Sequence, residues 1–212
     1  MSGRLPAVTC RELQRAARRL GFVGGVPAAT LVQNGGGRES GEDRMQRNDF
    51  VEAAKRLGAA EAKLISPASV VTAPWVRLKC QFGCGGYGRR LTCPPRSPTP
   101  EQTRAVLDCY TSAVLVHCPG QGNWRSIKQI VADLEREAFL AGHYKAFAFG
   151  SGPCDLCDEC NLQFCEHPGQ ARPAMEASGI DVFATARGNG FPIAVVRDHS
   201  CPQNYYGLVL VE

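Results

Sequence analysis

The chain has 212 residues, 44% of them hydrophobic and 21% charged, with 24 basic and 20 acidic side chains giving a net charge of +4. Such a balance excludes a disordered polyelectrolyte, and no apolar run approaches the roughly 18 residues that a membrane-spanning helix requires. Eleven cysteines are the unusual feature, and in an intracellular chain that number points to thiols kept reduced for metal rather than to a disulfide scaffold.

Residues 1–44 differ in kind from the rest. They hold seven arginines and four acidic residues, no lysine, and the patch Asn34-Gly35-Gly36-Gly37-Arg38-Glu39-Ser40-Gly41. That gives this stretch +3 and leaves +1 for residues 45–212, so the cysteine-bearing part is nearly neutral and offers no electrostatic case for nucleic acid. Arg18-Arg19 followed by the mildly apolar Val23 to Val32 has some likeness to a twin-arginine export signal, and Arg11–Leu20 to a basic amphipathic helix. The favoured reading is that the stretch is an extension upstream of a native start at Met45, with one domain over 45–212 in the cytoplasm.

Within that domain, Asp49 is read as the N-cap of a helix with Phe50, Ala54 and Leu57 on one face and Gly58 at its end. A short strand is expected over Ala62–Ser66, then a cysteine loop over 75–98. Thr99, Pro100 and Gln102 form a capping box that opens a helix to Tyr110. Ala113–Cys118 reads as a buried strand, and Asn123 as the cap of an amphipathic helix with Ile127, Ile130, Val131, Leu134 and Ala138 inward and Gly142 at its end. Lys145–Phe149 is a strand that runs into a second cysteine loop. Helical turns over Ala171–Ser178 and Asp181–Arg187 precede two strands, Pro192–Arg197 and Tyr205–Val211, expected as a hairpin. The fold class is α/β, a single mixed sheet with flanking helices and two cysteine-rich metal-binding loops.

Seven cysteines carry the chemistry. Cys80, Cys84 and Cys93 lie in the first loop, where Gly83, Gly85, Gly86 and Gly88 let the backbone curl and aim N–H groups at sulfur, and Lys79, Arg89 and Arg90 set positive charge nearby. A solvated loop face is the bland account of those three cations. The fourth ligand of this loop is open among His117, Cys118, Cys109 and Cys201. Cys154-x-x-Cys157-x-x-Cys160, with Cys165 after a further four residues, is similar to the ferredoxin run, whose last gap is three. Cys165 therefore serves the same centre as the first three, serves another, or yields its place to His167. Two successive x-x gaps favour a [4Fe–4S] cluster over zinc, whose sites pair two halves a dozen or more residues apart.

Other residues have plainer accounts. Arg172, Met175, Glu176 and Asp181 could orient a substrate or a loop, but helix capping and an ion pair explain them better. His117 reads as a hydrogen-bonded core histidine, and Tyr205 and Tyr206 as strand packing. No phosphate loop, dinucleotide fingerprint or hydrolase nucleophile motif is present.

Four motifs occur in order: Cys-x3-Cys-x2-Tyr-x4-Thr-Cys-Pro-Pro-x-Ser-Pro-Thr-Pro-Glu from Cys80 to Glu101, the run from Glu135 to Phe147, Gly152-Pro-Cys-x2-Cys-x2-Cys, and Ala171-Arg-Pro-x-Met-Glu with Gly179-Ile-Asp-Val-Phe. Together they resemble the domain of unknown function numbered 2284, described as predicted metal-binding proteins, over residues 48–212. The resemblance implies metal ligation by Cys80, Cys84, Cys93, Cys154, Cys157, Cys160 and Cys165, sets Cys10, Cys109 and Cys201 aside, and names no activity. The resulting expectation is an iron–sulfur protein with one or two [4Fe–4S] clusters and a redox protein partner. The alternatives are a zinc module for interaction or metal delivery, and an iron–sulfur enzyme with an open iron.

Overall fold

The computed structural model describes residues 41–120, 124–198 and 201–212. The basic extension up to residue 40, Cys10 and the Asn123 cap lie outside the described residues. The elements in chain order are helix α1 (Gly41–Arg56), strand β1 (Glu61–Ile65), helix α2 (Trp75–Gly83), helix α3 (Pro100–Leu107), strand β2 (Ala113–Pro119), helix α4 (Trp124–Leu140), strand β3 (Phe147–Phe149), helix α5 (Val182–Gly188) and strand β4 (Asn204–Leu210). Short 3₁₀ turns occupy Pro67–Ser69 and Glu176–Ser178.

The four strands form a single sheet in the order β1-β2-β4-β3. The α/β class and the single sheet with flanking helices therefore stand, while every ladder in the sheet is antiparallel rather than mixed. The one parallel pairing among the described residues is an isolated bridge between Gly150 and Ala174. Residues 113–118 of β2 are all buried, because this central strand is covered on both faces. Alternation sends Val114, Val116 and Cys118 to one core with Phe50, Ala54, Ile130 and Leu134 from α1 and α4. It sends Ala113 and Leu115 to the other, with Leu107, Phe149, Met175, Ile180 and Ala186.

Several local expectations hold. Thr99 accepts from the Gln102 N–H at 3.2 Å, while the Gln102 side chain accepts from the Thr99 N–H at 2.8 Å, which completes the capping box of α3. All five apolar residues expected inward on α4 are buried. Asp181 caps α5, its carboxylate accepting from the Ala184 N–H at 2.9 Å.

Others are corrected. Asp49 lies inside α1, which already begins at Gly41. The hairpin does not form: β4 is paired on both sides, by β2 and β3, so no edge remains for Pro192–Arg197. That segment stays irregular, and Val195 is 71% exposed. The first cysteine region is not wholly a loop, since Cys80 stands on α2.

Candidate metal centre

Helix α2 carries Cys80 towards the 3₁₀ turn at Glu176–Ser178, with the Cys80 thiol reaching the Glu176 carbonyl at 4.0 Å. The chain then winds through Cys84 to Cys93. Ser97 donates to the Ala177 carbonyl and Thr103 to the Ser178 carbonyl, both at 2.6 Å and both buried. Residues 176–178 therefore serve as a floor for the first cysteine segment.

Gly86 is the pivot of that segment. A Cβ placed there would stand 3.2 Å from the Cys93 sulfur, 3.6 Å from the Cys84 sulfur and 3.2 Å from Cβ of Pro153. Two sulfurs and the start of the second cysteine loop thus converge on one buried backbone position. The Gly86 N–H also points at the Cys84 sulfur at 3.4 Å, the kind of hydrogen bond that steadies a ligating thiolate. Gly83 and Gly85 have open space around them, so the glycine-rich run is not uniformly required.

The second loop leaves the sheet at the end of β3. Lys128 of α4 holds its start, donating to the Pro153 carbonyl at 2.5 Å and to the Asp155 carboxylate at 2.9 Å. Arg90 reaches across from the first segment, donating to the Cys157 carbonyl at 2.6 Å and the Asp158 carbonyl at 3.2 Å. Its guanidinium is therefore a strut between the two cysteine regions, whereas Lys79 and Arg89 are exposed, as the solvated-face account has it. At the exit, Arg172 makes a bidentate pair with Glu135 of α4, both contacts at 2.6 Å, and Glu135 also accepts from the Ala148 N–H of β3 at 2.7 Å. Arg172 and Asp181 thus take the structural roles expected for them, and Met175 is fully buried in the core.

None of the ten cysteines among the described residues is joined in a disulfide. Burial pushes the Cys80 thiol up to about 11, helped by the charges of Cys84, Glu176 and Cys93 and opposed by Arg77. Burial also raises Cys93, with Thr92 pulling against it, the charges of Cys84 and Cys154 adding to it, and the Cys154 N–H directed at its sulfur. Cys157 is raised by partial desolvation, then by Glu166 and by Cys154, Cys160 and Cys165. The Cys157 sulfur, a Glu166 oxygen and a His167 ring nitrogen lie within 4.8 Å of one another.

The candidates for a fourth ligand of the first loop have the following surroundings. Cys118 is in the core under α1 and α4. His117 is buried, paired with Asn204 at 2.8 Å and stacked on Tyr206 with ring centroids 4.8 Å apart, which fits the core-histidine account. Cys109 follows α3 and reaches the Ala105 carbonyl at 3.4 Å. Cys201 lies in the approach to β4.

Two residues belong to the site with no local signal for it in the sequence. Pro153 and Arg77 join the site only through tertiary contact, and Arg77 donates to the Pro98 carbonyl at 3.2 Å. Glu176, expected in a capping or ion-pair role, instead bears on Cys80; burial pushes its carboxyl up, and one of its oxygens is buried without a hydrogen-bond partner. Around Gly86 the donors are thiols with N–H groups aimed at sulfur, which fits a thiophilic metal or an iron–sulfur cluster, while Cys157, Glu166 and His167 offer a mixed donor set.

A family model described as "Predicted metal-binding protein (DUF2284)" matches residues 63–211. No curated protein and no solved structure matches.

Proposed function

The chain belongs to this family of predicted metal-binding proteins, and from that premise we propose that it is an iron–sulfur protein with an electron-transfer role, its metal held by Cys80, Cys84, Cys93, Cys154, Cys157, Cys160 and Cys165. The observation that carries the reading is the meeting of two cysteine regions, distant in sequence, at Gly86, with free thiols on both sides and no competing disulfide among the described residues.

A bound [4Fe–4S] cluster would supply one-electron chemistry. The chain's own contribution is to desolvate Cys80 and Cys93, to aim the Gly86 and Cys154 N–H groups at sulfur, and to place the Arg90 guanidinium between the loops. Hydrogen bonds and burial of this kind set the potential of a cluster. A redox protein is the partner proposed. Trp75, Leu78 and Phe82 support it, since they lie on one face of the helix that carries Cys80 and are 49%, 55% and 80% exposed. Among the described residues no helix is long and apolar enough to cross a membrane. We place the protein in the cytoplasm, where thiols stay reduced.

Two observations favour other readings. The sulfur, oxygen and nitrogen donors of Cys157, Glu166 and His167 form a mixed set that zinc accepts, which supports a zinc module for interaction or metal delivery. A groove of about 500 Å³ beside α2, with Trp75, Lys79, Glu176 and Tyr206 in its lining, supports an iron–sulfur enzyme with a substrate beside the metal. The separating experiment is the visible and electron paramagnetic resonance spectrum of protein purified without oxygen. A brown protein that bleaches on reduction and gains a low-temperature signal is expected. A colourless protein carrying zinc would replace the iron–sulfur reading.

A further inference from the structure

The groove of about 500 Å³ beside α2 lies within the size range of small-molecule sites. Its walls come from separate parts of the chain: Trp75 and Lys79 of α2, Glu176 of the 3₁₀ turn, Phe183 of α5, and the irregular segment at 193–196 with Tyr205 of β4. Trp75 is 49% exposed, Val195 71% and Val196 44%, so large apolar side chains stand in water around one concavity. Single exposed apolar residues need no explanation, but several of them around one groove mark a binding surface.

Most polar groups of the lining are already spent. The Tyr206 hydroxyl donates to the Pro192 carbonyl, the Asn204 side chain pairs with His117, and the Asp181 carboxylate caps α5. Of the charged side chains in the lining, Glu176 and Lys79 remain. Glu176 is partly exposed, yet one of its carboxylate oxygens is buried without a hydrogen-bond partner. An acceptor left unpaired in this way is costly, and a donor brought by a ligand relieves the cost. Lys79 is exposed and supplies a positive charge. The groove runs beside the candidate metal centre, since Lys79 adjoins Cys80, the Cys80 thiol reaches the Glu176 carbonyl at 4.0 Å, and Gly152 of the lining shortly precedes Cys154.

One carboxylate and one ammonium among apolar and aromatic walls are complementary to a zwitterion with an aromatic body. We propose that the groove binds a small aromatic zwitterion, an amino acid or a dipeptide, its ammonium donating to Glu176, its carboxylate held by Lys79 and its ring beside Trp75, Phe183 and Tyr205. This names the substrate class for the enzyme reading above, and rests on that reading's claim that the groove takes a substrate.

The test is isothermal titration of the full-length chain, purified without oxygen and assayed for iron and zinc. The probes are tryptophyl-glycine and L-tryptophan, followed by two analogues that each lack one charge: tryptamine without the carboxylate and indolepropionate without the ammonium. At least one zwitterion is expected to bind saturably, and each analogue about tenfold more weakly. Glu176→Gln is expected to weaken the zwitterion about tenfold and to leave indolepropionate unchanged, because that analogue brings no ammonium to Glu176. Lys79→Ala has the mirror effect and spares tryptamine. No saturable binding of either zwitterion overturns the proposal and leaves the iron–sulfur reading untouched. Equal affinity for the zwitterion and both analogues overturns it as well, since the two charges then select nothing. Binding to a colourless zinc protein ends the iron–sulfur reading and keeps the ligand class. Should Glu176→Gln not fold, the analogue series on the unaltered chain decides alone.

Discussion

In the first cysteine region, Cys80 stands on a helix whose Val76 is 4% exposed, and Cys93 is itself only 5% exposed. In the second, no residue from 151 to 171 belongs to a helix or strand, and Cys154, Cys157, Cys160 and Cys165 are all partly exposed. Buried hydroxyls and close backbone packing build the first region, with the Ser97 and Thr103 side chains donating to the floor at 176–178 and Gly86 buried against sulfur. Side-chain cations build the second, with Lys128 at its entry, Arg90 at its middle and Arg172 at its exit. The first region is anchored in the core, although its Cys84 is exposed; the second is tied to the core by charge. The second should accordingly rely more on bound metal for its order.

The strongest way to break the first region is through its floor. Gly179 has φ +77, and a Cβ there would lie 2.4 Å from Cγ of Pro100, at the start of α3. Gly179→Ala is expected to cost about 4 kcal/mol, from the left-handed backbone and the overpacking together. Chemical denaturation reads it, and an unchanged midpoint would remove the floor from the account.

The matching attack on the second region is Arg172→Ala. It leaves Glu135 mostly buried without its partner, the two side chains being 16% and 12% exposed in the native pair. A loss of about 3 kcal/mol is expected, with faster hydrogen exchange over 151–171 and little change over 75–98. Equal acceleration in both segments would erase the distinction.

Gly86→Ala sharpens the comparison from where the regions touch. Contacts of 3.2 Å to both Cys93 and Pro153 leave the methyl group no room unless one region moves. A global loss of about 1 kcal/mol is expected, together with reduced metal content, because strain falls on ligands rather than on the core. Full metal loading in the variant would mean that the regions separate freely.

The smallest effect is one of pH. Cys80 is raised from the ordinary 9.0 to about 11. In the metal-free chain its proton is held in both folded and unfolded states below pH 9.0, and the stability from burying a neutral thiol is then complete. As pH rises towards 11 the unfolded chain ionises first, so that stability is lost through this window. Partial exposure of Cys80 limits the drop to a few degrees in Tm. Metal-loaded protein, whose Cys80 proton has already left, should show no such drop.

Most of the framework was legible because its signals are local. The Thr99 capping box, the apolar stripe of α4 and the Asp181 cap each depend on residues within one or two turns, and each formed as expected. Strand direction and the failed hairpin at Pro192–Arg197 depend on which edges of β4 are already filled, and no local pattern records that. The same limit applied to the site. Spacing singled out the seven cysteines, but nothing in Gly152-Pro153 announces the contact between Pro153 and Gly86, which lie far apart in the chain. Arg90 was singled out as charge near thiolates, yet its role as a strut emerged only from the Cys157 and Asp158 carbonyls it bonds.

The central claim is that this chain exists to hold iron and sulfide, and the most direct test is iron, acid-labile sulfide and zinc per chain in protein purified without oxygen. The account predicts about eight irons and eight sulfides, two four-iron clusters per chain. Stoichiometric zinc without sulfide would contradict it.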